Sequence, residues 1–240
     1  MKKLLFPLAA LAIALPAAAN AGDWGGVFSA LILTSDFRYQ GVSNSGGHPV
    51  VQAYVHYWRP DGFYAGAFAS QDDASYRGAP TYEIDSYAGK NFSLDHGKTE
   101  LKAEAMYTIM PDNRTPGPTL DFFQAKLQAK HTAGPWTNTA LVSYVPEGPY
   151  RSGQTWRVEG ESDYALNPRL TLKALSGYQW GGRGHERSYW SLGAVTTWKT
   201  LAFELRYVGN DRTRANCGFR PKACDAAVVA TLTVSLPPIL

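Results

Sequence analysis

Twelve short stretches of alternating character, each about 9 to 13 residues long, follow one another along the chain, joined by connections that are in turn long and short. Alternation with a period of two over such a length describes a strand with two unlike faces. An even number of these strands, joined in this rhythm, predicts a closed antiparallel barrel with tight turns at one end and loops at the other. Closure leaves no backbone group unpaired, which any sheet crossing hydrocarbon requires.

The alternation is clearest from Leu101 to Ile109. Leu101, Ala103, Ala105, Tyr107 and Ile109 share one face; Lys102, Glu104, Met106 and Thr108 share the other, with Met106 the one apolar residue on the polar side. Phe123, Ala125, Leu127 and Ala129 likewise oppose Gln124, Lys126, Gln128 and Lys130, and Leu201, Phe203, Leu205 and Tyr207 oppose Glu204 and Arg206. Between them, Trp156, Val158 and Tyr164 stand against Arg157, Glu159, Glu161 and Asp163. Charges recurring on one face of successive strands cannot enter a dry core unpaired, so that face meets water or lines a wet interior. The predicted strands run over 24–37, 49–59, 63–71, 82–92, 99–109, 120–132, 136–146, 155–165, 170–180, 189–198, 201–210 and 225–236.

By this parity the inward ladder holds the acids Glu83, Asp85, Glu104, Glu159, Glu161, Asp163 and Glu204, and the bases Lys102, Lys126, Lys130, Arg157, Lys173 and Arg206. The two signs nearly cancel. A lumen so lined is expected to be laced with ion pairs and to discriminate weakly between ions, or else to be a brace that does not conduct, since twelve strands lie between barrels filled by side chains and barrels with an open channel.

The seven tryptophans, Trp24, Trp58, Trp136, Trp156, Trp180, Trp190 and Trp198, fall within about two residues of a predicted strand end, where amphipathic rings would form two girdles at the lipid headgroups. Trp58 has the wrong parity beside Val51, Ala53, Val55 and Tyr57, which points it into the lumen or marks a bulge.

Ahead of the strands stand Lys2 and Lys3, an apolar run from Leu4 to Leu15, and a small-residue stretch ending Ala19-Asn20-Ala21. This is the pattern of a secretory signal peptide, so residues 1–21 are set apart and residues 22–240 are expected to form a single domain. Without the two lysines the formal charge falls from +3 to +1, which argues against a nucleic-acid partner. Cys217 and Cys224 sit in one polar connection and read as a disulfide of an exported protein, with a metal site the weaker alternative.

Catalytic signatures are lacking. His48, His56, His96, His131 and His185 show no metal-ligand spacing, no Gly-x-Ser-x-Gly elbow is present, and the Gly-rich Gly181 to Gly184 lacks the Lys and Ser/Thr of a phosphate-cradling loop. No enzyme activity, cofactor or metal is expected.

The segment Leu33-Thr34-Ser35-Asp36-Phe37-Arg38-Tyr39-Gln40-Gly41-Val42-Ser43 resembles the N-terminal signature of the TorF family of outer-membrane porins, and Gly62 to Ser70 and Glu83 to Gly89 are similar to further family segments. The resemblance implies a bacterial outer-membrane barrel with no established substrate. Two positions depart from it. Gln40 stands where the family usually has Arg, in what the resemblance makes an external loop; and the chain ends Ser235-Leu236-Pro237-Pro238-Ile239-Leu240 instead of on an aromatic residue. Proline cannot donate to a sheet ladder, so the last strand should stop near Leu236.

These observations lead to an all-β expectation: a twelve-stranded transmembrane barrel in the outer membrane of a Gram-negative bacterium, both termini periplasmic, whose partners are the lipid bilayer and small polar solutes or ions diffusing through it. The competing expectations are a soluble periplasmic β-barrel that binds a small ligand, a non-conducting structural barrel, and a membrane-embedded hydrolase.

Overall fold

A computed structural model of the chain describes residues 5–8, 11–14, 25–72, 81–110, 120–183, 186–217 and 221–237. Twelve antiparallel strands close into one barrel: β1 (Gly26–Thr34), β2 (Val50–Trp58), β3 (Phe63–Asp72), β4 (Thr81–Leu94), β5 (Thr99–Ile109), β6 (Phe122–Ala133), β7 (Trp136–Val145), β8 (Thr155–Asn167), β9 (Leu170–Gly181), β10 (Arg187–Trp198), β11 (Leu201–Asn210) and β12 (Ala227–Ser235). Each strand pairs with its sequence neighbours, and β12 returns to β1 with Thr231 opposite Thr34 and Ser235 opposite Ala30. A separate two-stranded pair, Leu5–Leu8 with Leu11–Ala14, lies within the expected leader.

The strands and the rhythm of their connections follow the predicted pattern. Turns close one end, the shortest being Gly134-Pro135, Pro168-Arg169 and Lys199-Thr200, and the longer loops gather at the other. The last strand stops at Ser235, as the prolines require; the Leu236 amide still donates to the Ser29 carbonyl at 2.9 Å before Pro237 ends the ladder.

The wall is inside out relative to a water-soluble barrel. Leu33, Val51, Leu127, Leu192, Leu205 and Val228 are exposed on its outer surface, while Gln52, Glu104, Gln124, Lys126, Arg157 and Lys173 are buried within. An apolar belt of this extent is unsuited to water and matches lipid tails. No helix among the described residues is long and apolar enough to cross a membrane.

Apart from Trp58, the described tryptophans point outward, with Trp136, Trp156 and Trp198 well exposed; Trp24 lies outside the described residues. One differs from expectation, and Trp58 takes the first of its two expected readings. β10 begins at Arg187, so Trp190 stands three residues into its strand. Trp58 turns inward without a bulge: its register with Gly26 is continuous, and its ring packs on the interior cluster of Tyr64, Tyr87 and Met106.

Candidate functional site

The interior has two unlike sectors. Around β1 to β3 and the facing parts of β10 and β11 it is apolar, with Phe28, Ala30, Ile32, Tyr54, Phe68, Val195 and Ala202 in one cluster. From β4 through β9 it is charged. Here the alternating residues of each strand meet those of the next, because residues opposed across a ladder put their side chains on the same face.

Glu104 of β5 is the first hub. Lys126, its register partner on β6, reaches it at 3.1 Å, Lys102 of its own strand at 2.8 Å, and the Tyr64 hydroxyl donates to it at 3.0 Å. Lys130 pairs at 2.9 Å with Glu100 directly opposite. Lys173 of β9 is the second hub, bound to Asp163 across the ladder at 2.9 Å and to Glu161 at 3.0 Å. Arg206 pairs with Glu204 along β11 at 3.3 Å, and Thr108 donates to Asp85 at 2.5 Å. Glu159 accepts from the Tyr189 hydroxyl at 2.8 Å and stands 3.8 Å from Arg157. Glu83, on β4, is half-buried. The thirteen charged positions singled out from the sequence thus share the inner face.

Interior tyrosines lie flat on the wall where glycine makes room. Tyr64 stands opposite Gly89 and Tyr87 opposite Gly66; a Cβ on either glycine would sit 2.3 to 2.4 Å from the tyrosine oxygen across the ladder. The rings therefore cover backbone instead of projecting across the lumen. His56 belongs to this patch, buried, stacked on Tyr64 with ring centres 5.2 Å apart and 3.2 Å from the Tyr87 hydroxyl.

Parity could not reveal the loop between β1 and β2, residues 35–49, which folds into the barrel instead of lying outside it. Asp36 gathers it, accepting from Ser43 at 2.5 Å, Ser45 at 2.9 Å and the Arg38 guanidinium at 2.6 Å, and Phe37 packs on Phe68 in the apolar sector. Arg38 also donates to the carbonyls of Gly41 and, far along the chain, Asp225. Gln40 is buried against Gln179 and Arg187. The signature-like segment is therefore an inner plug from Ser35 onward, and Gln40 is not an external residue. Arg187 also escaped the sequence reading, because β10 starts two residues before the predicted strand.

At the rim, Cys217 and Cys224 form a disulfide. Beside it Arg214 holds Asp225 at 2.5 Å and, by hydrogen bonding and charge, keeps that carboxyl below the usual carboxylate range. Among the described residues no group of three His, Cys, Asp or Glu is placed to hold a metal ion; His185 lies outside them.

The barrel thus encloses a polar lumen within an apolar wall. Residues 19–237 match the Gcw_chp family, described as bacterial protein of unknown function. The chain belongs to the Gcw_chp family. No curated protein matches it in sequence. In structure this Gcw_chp barrel is similar to the KdgM porin, with TM-score 0.58 and 8% identity over 88% of this chain and 99% of that one. It is similar also to the NanC porin, with TM-score 0.59 and 9% identity over 87% and 98%. The Pseudomonas putida toluene transporter TodX aligns at TM-score 0.50 and 12% identity, over 90% of each chain. At such identities the likeness is one of fold: the Gcw_chp chain has the architecture of outer-membrane barrels.

Proposed function

We propose that the protein is a porin of the Gram-negative outer membrane, exported by residues 1–21 and passing small polar solutes by passive diffusion through the barrel of residues 22–240, with no catalytic step and no cofactor. The observation that carries this reading is the reversal of sides, a continuous apolar exterior around an interior of paired charges, which suits a wall between lipid and water. Loops at one rim and turns at the other then correspond to the cell exterior and the periplasm. The finer placement in the TorF family is supported by the segment at Leu33 to Ser43, whose Asp36, Arg38, Gly41 and Ser43 are the residues that shape the inner plug.

Purified protein should show heat-modifiable migration in detergent gels and open discrete conductance steps in planar lipid bilayers. A second reading, a non-conducting brace, is favoured by the depth at which Arg157 and Lys173 are buried and by the plug itself. Inserted protein that stays electrically silent would decide for the brace; protein that migrates identically heated and unheated, and never inserts, would sink both readings.

A further inference from the structure

One rung of the interior carries two arginines with little counter-charge between them: Arg157 has the single carboxylate of Glu159 at 3.8 Å, and Arg187 forms no ion pair among the described residues. Arg157 of β8 stands opposite Gln179 of β9, and Gln179 opposite Arg187 of β10, so three inward side chains lie side by side at the loop end of the barrel. Strands are about 4.8 Å apart, which puts the two arginine backbones within about 10 Å, a separation their long side chains can close onto one small group.

Their surroundings are short of negative charge. Arg157 is 2% exposed; its Nε donates to Ser143 at 3.1 Å, and its nearest carboxylate, Glu159, is 3.8 Å away and engaged by Tyr189. Arg187 is buried and forms no ion pair among the described residues; its Nη2 donates to the Gln40 side-chain oxygen. The Gln40 nitrogen in turn donates to Gln179 at 2.8 Å, and the Tyr39 ring faces the Arg157 guanidinium at 5.6 Å. Arg157 Nη2 and Arg187 Nε still make no hydrogen bond among the described residues. Arg187, met by a neutral amide, and Arg157, whose one carboxylate stands at 3.8 Å, leave buried donors and charge only partly compensated, a costly arrangement that an oxyanion would relieve with charge-assisted bonds.

The amide that meets Arg187 and Gln179 comes from the turn of the plug. Gln40 sits at φ 53° beside Gly41 at φ 77°, at the tip of the plug, while the plug is fastened elsewhere through Asp36 and Arg38. Turning one glutamine side chain would uncover the rung without dismantling the loop.

We propose that Arg157, Gln179 and Arg187 form an oxyanion subsite in the mouth of the barrel for solutes bearing a carboxylate or phosphate group, and that Gln40 is its displaceable cap. The subsite rests on the reading of the lumen as a solute path, yet its occupancy can be measured without any current. The test uses full-length folded protein in detergent at low ionic strength, titrated calorimetrically with succinate and, separately, with inorganic phosphate.

Gln40→Gly, which suits the positive φ and withdraws the cap, should bind at least one of the two anions several-fold more tightly than wild type. Arg187→Gln in that background should weaken binding about tenfold or more, the effect of losing a charge-assisted bond. Gln40→Glu tethers a carboxylate on the rung and should abolish binding of added anion while raising the thermal transition. Arg187 lies at a strand end, so its variant can be checked for folding by heat-modifiable migration, and the test does not depend on the deeply buried Arg157. Preference for succinate or for phosphate assigns the subsite to one source of oxyanion. No binding by Gln40→Gly, or binding that Arg187→Gln leaves unchanged, overturns the proposal. Bilayer recordings of the same preparations separate the two readings: a silent barrel with Arg187-dependent binding keeps the subsite and loses the pore, and a conducting barrel without binding does the reverse.

Discussion

Leu127 and Gln128 are adjacent on β6 and face different solvents: Leu127 is 64% exposed on the outer wall, Gln128 is 9% exposed within, opposite Lys102. A cation at mid-bilayer on the lipid face costs about 2 to 4 kcal/mol, so Leu127→Arg, and Ala103→Arg across the ladder, should lower the yield of folded barrel in lipid vesicles. Gln128→Glu adds a charge beside Lys102 in the interior and should fold like wild type. Equal yields for Leu127→Arg and Gln128→Glu would refute the assignment of faces. At this scale the sequence was readable wherever a strand is regular, since parity alone assigns a side. It was readable even in the breaks, because Met106 and Trp58, apolar residues of inward parity, both join the interior cluster of Tyr64 and Tyr87. Arg187, Gln40 and Asp36 were not readable: Arg187 lies just before a predicted strand, Gln40 lies in a loop where no period gives a side chain a direction, and Asp36 falls inside the predicted strand 24–37, which the structure ends at Thr34.

The twelve strands and the length of each connection follow from hydrophobic period and turn residues, both local properties. The path of the loop at residues 35–49 does not, because what draws it inward is remote in sequence: Arg38 reaches the carbonyl of Asp225, and Asn210 donates to the carbonyl of Gly41. Gly41 is where this docking is tightest. It sits at φ 77°, and a Cβ there would come 2.4 Å from the Gly209 carbonyl oxygen, so Gly41→Ala should force the plug away from β11. The expected outcome is a barrel with unchanged heat-modifiable migration and larger single-channel conductance; an unchanged conductance would show that the plug does not limit the path. The disulfide fastens the neighbouring loop that receives Arg38. Alkylation without reductant should add no mass to the intact protein, and two labelled thiols would contradict the bond. Replacing both cysteines by Ser should cost about 2.5 kcal/mol of loop order by the chain-entropy account while leaving barrel closure intact, since β11 and β12 pair without it.

For the molecule as a whole, the balance of interior charge decides what a conducting lumen would prefer. The ladder pairs acid with base nearly one for one, and one pair at 4 Å is worth about 4 kcal/mol at an effective dielectric near 20 before desolvation, so removing several partners together should leave a strong residual field. The place to unbalance it is β8. Glu161 and Asp163 both bind Lys173, and Glu159 is the carboxylate nearest Arg157, so changing Glu159, Glu161 and Asp163 to Gln, Gln and Asn leaves Lys173 and Arg157 without their counter-charges. Cations left along the path favour anion entry. In a salt gradient across a planar bilayer the reversal potential of the triple variant should therefore move toward that of chloride, and chromatography and heat-modifiable migration should show that the barrel still closes, because none of the three side chains contributes to the backbone ladder that holds it shut. A reversal potential that stays at the wild-type value would mean that the ions travel elsewhere than past β8. The apolar sector of β1 to β3 offers them no such stretch of paired charge, so that result would count against the lumen as the conducting path altogether.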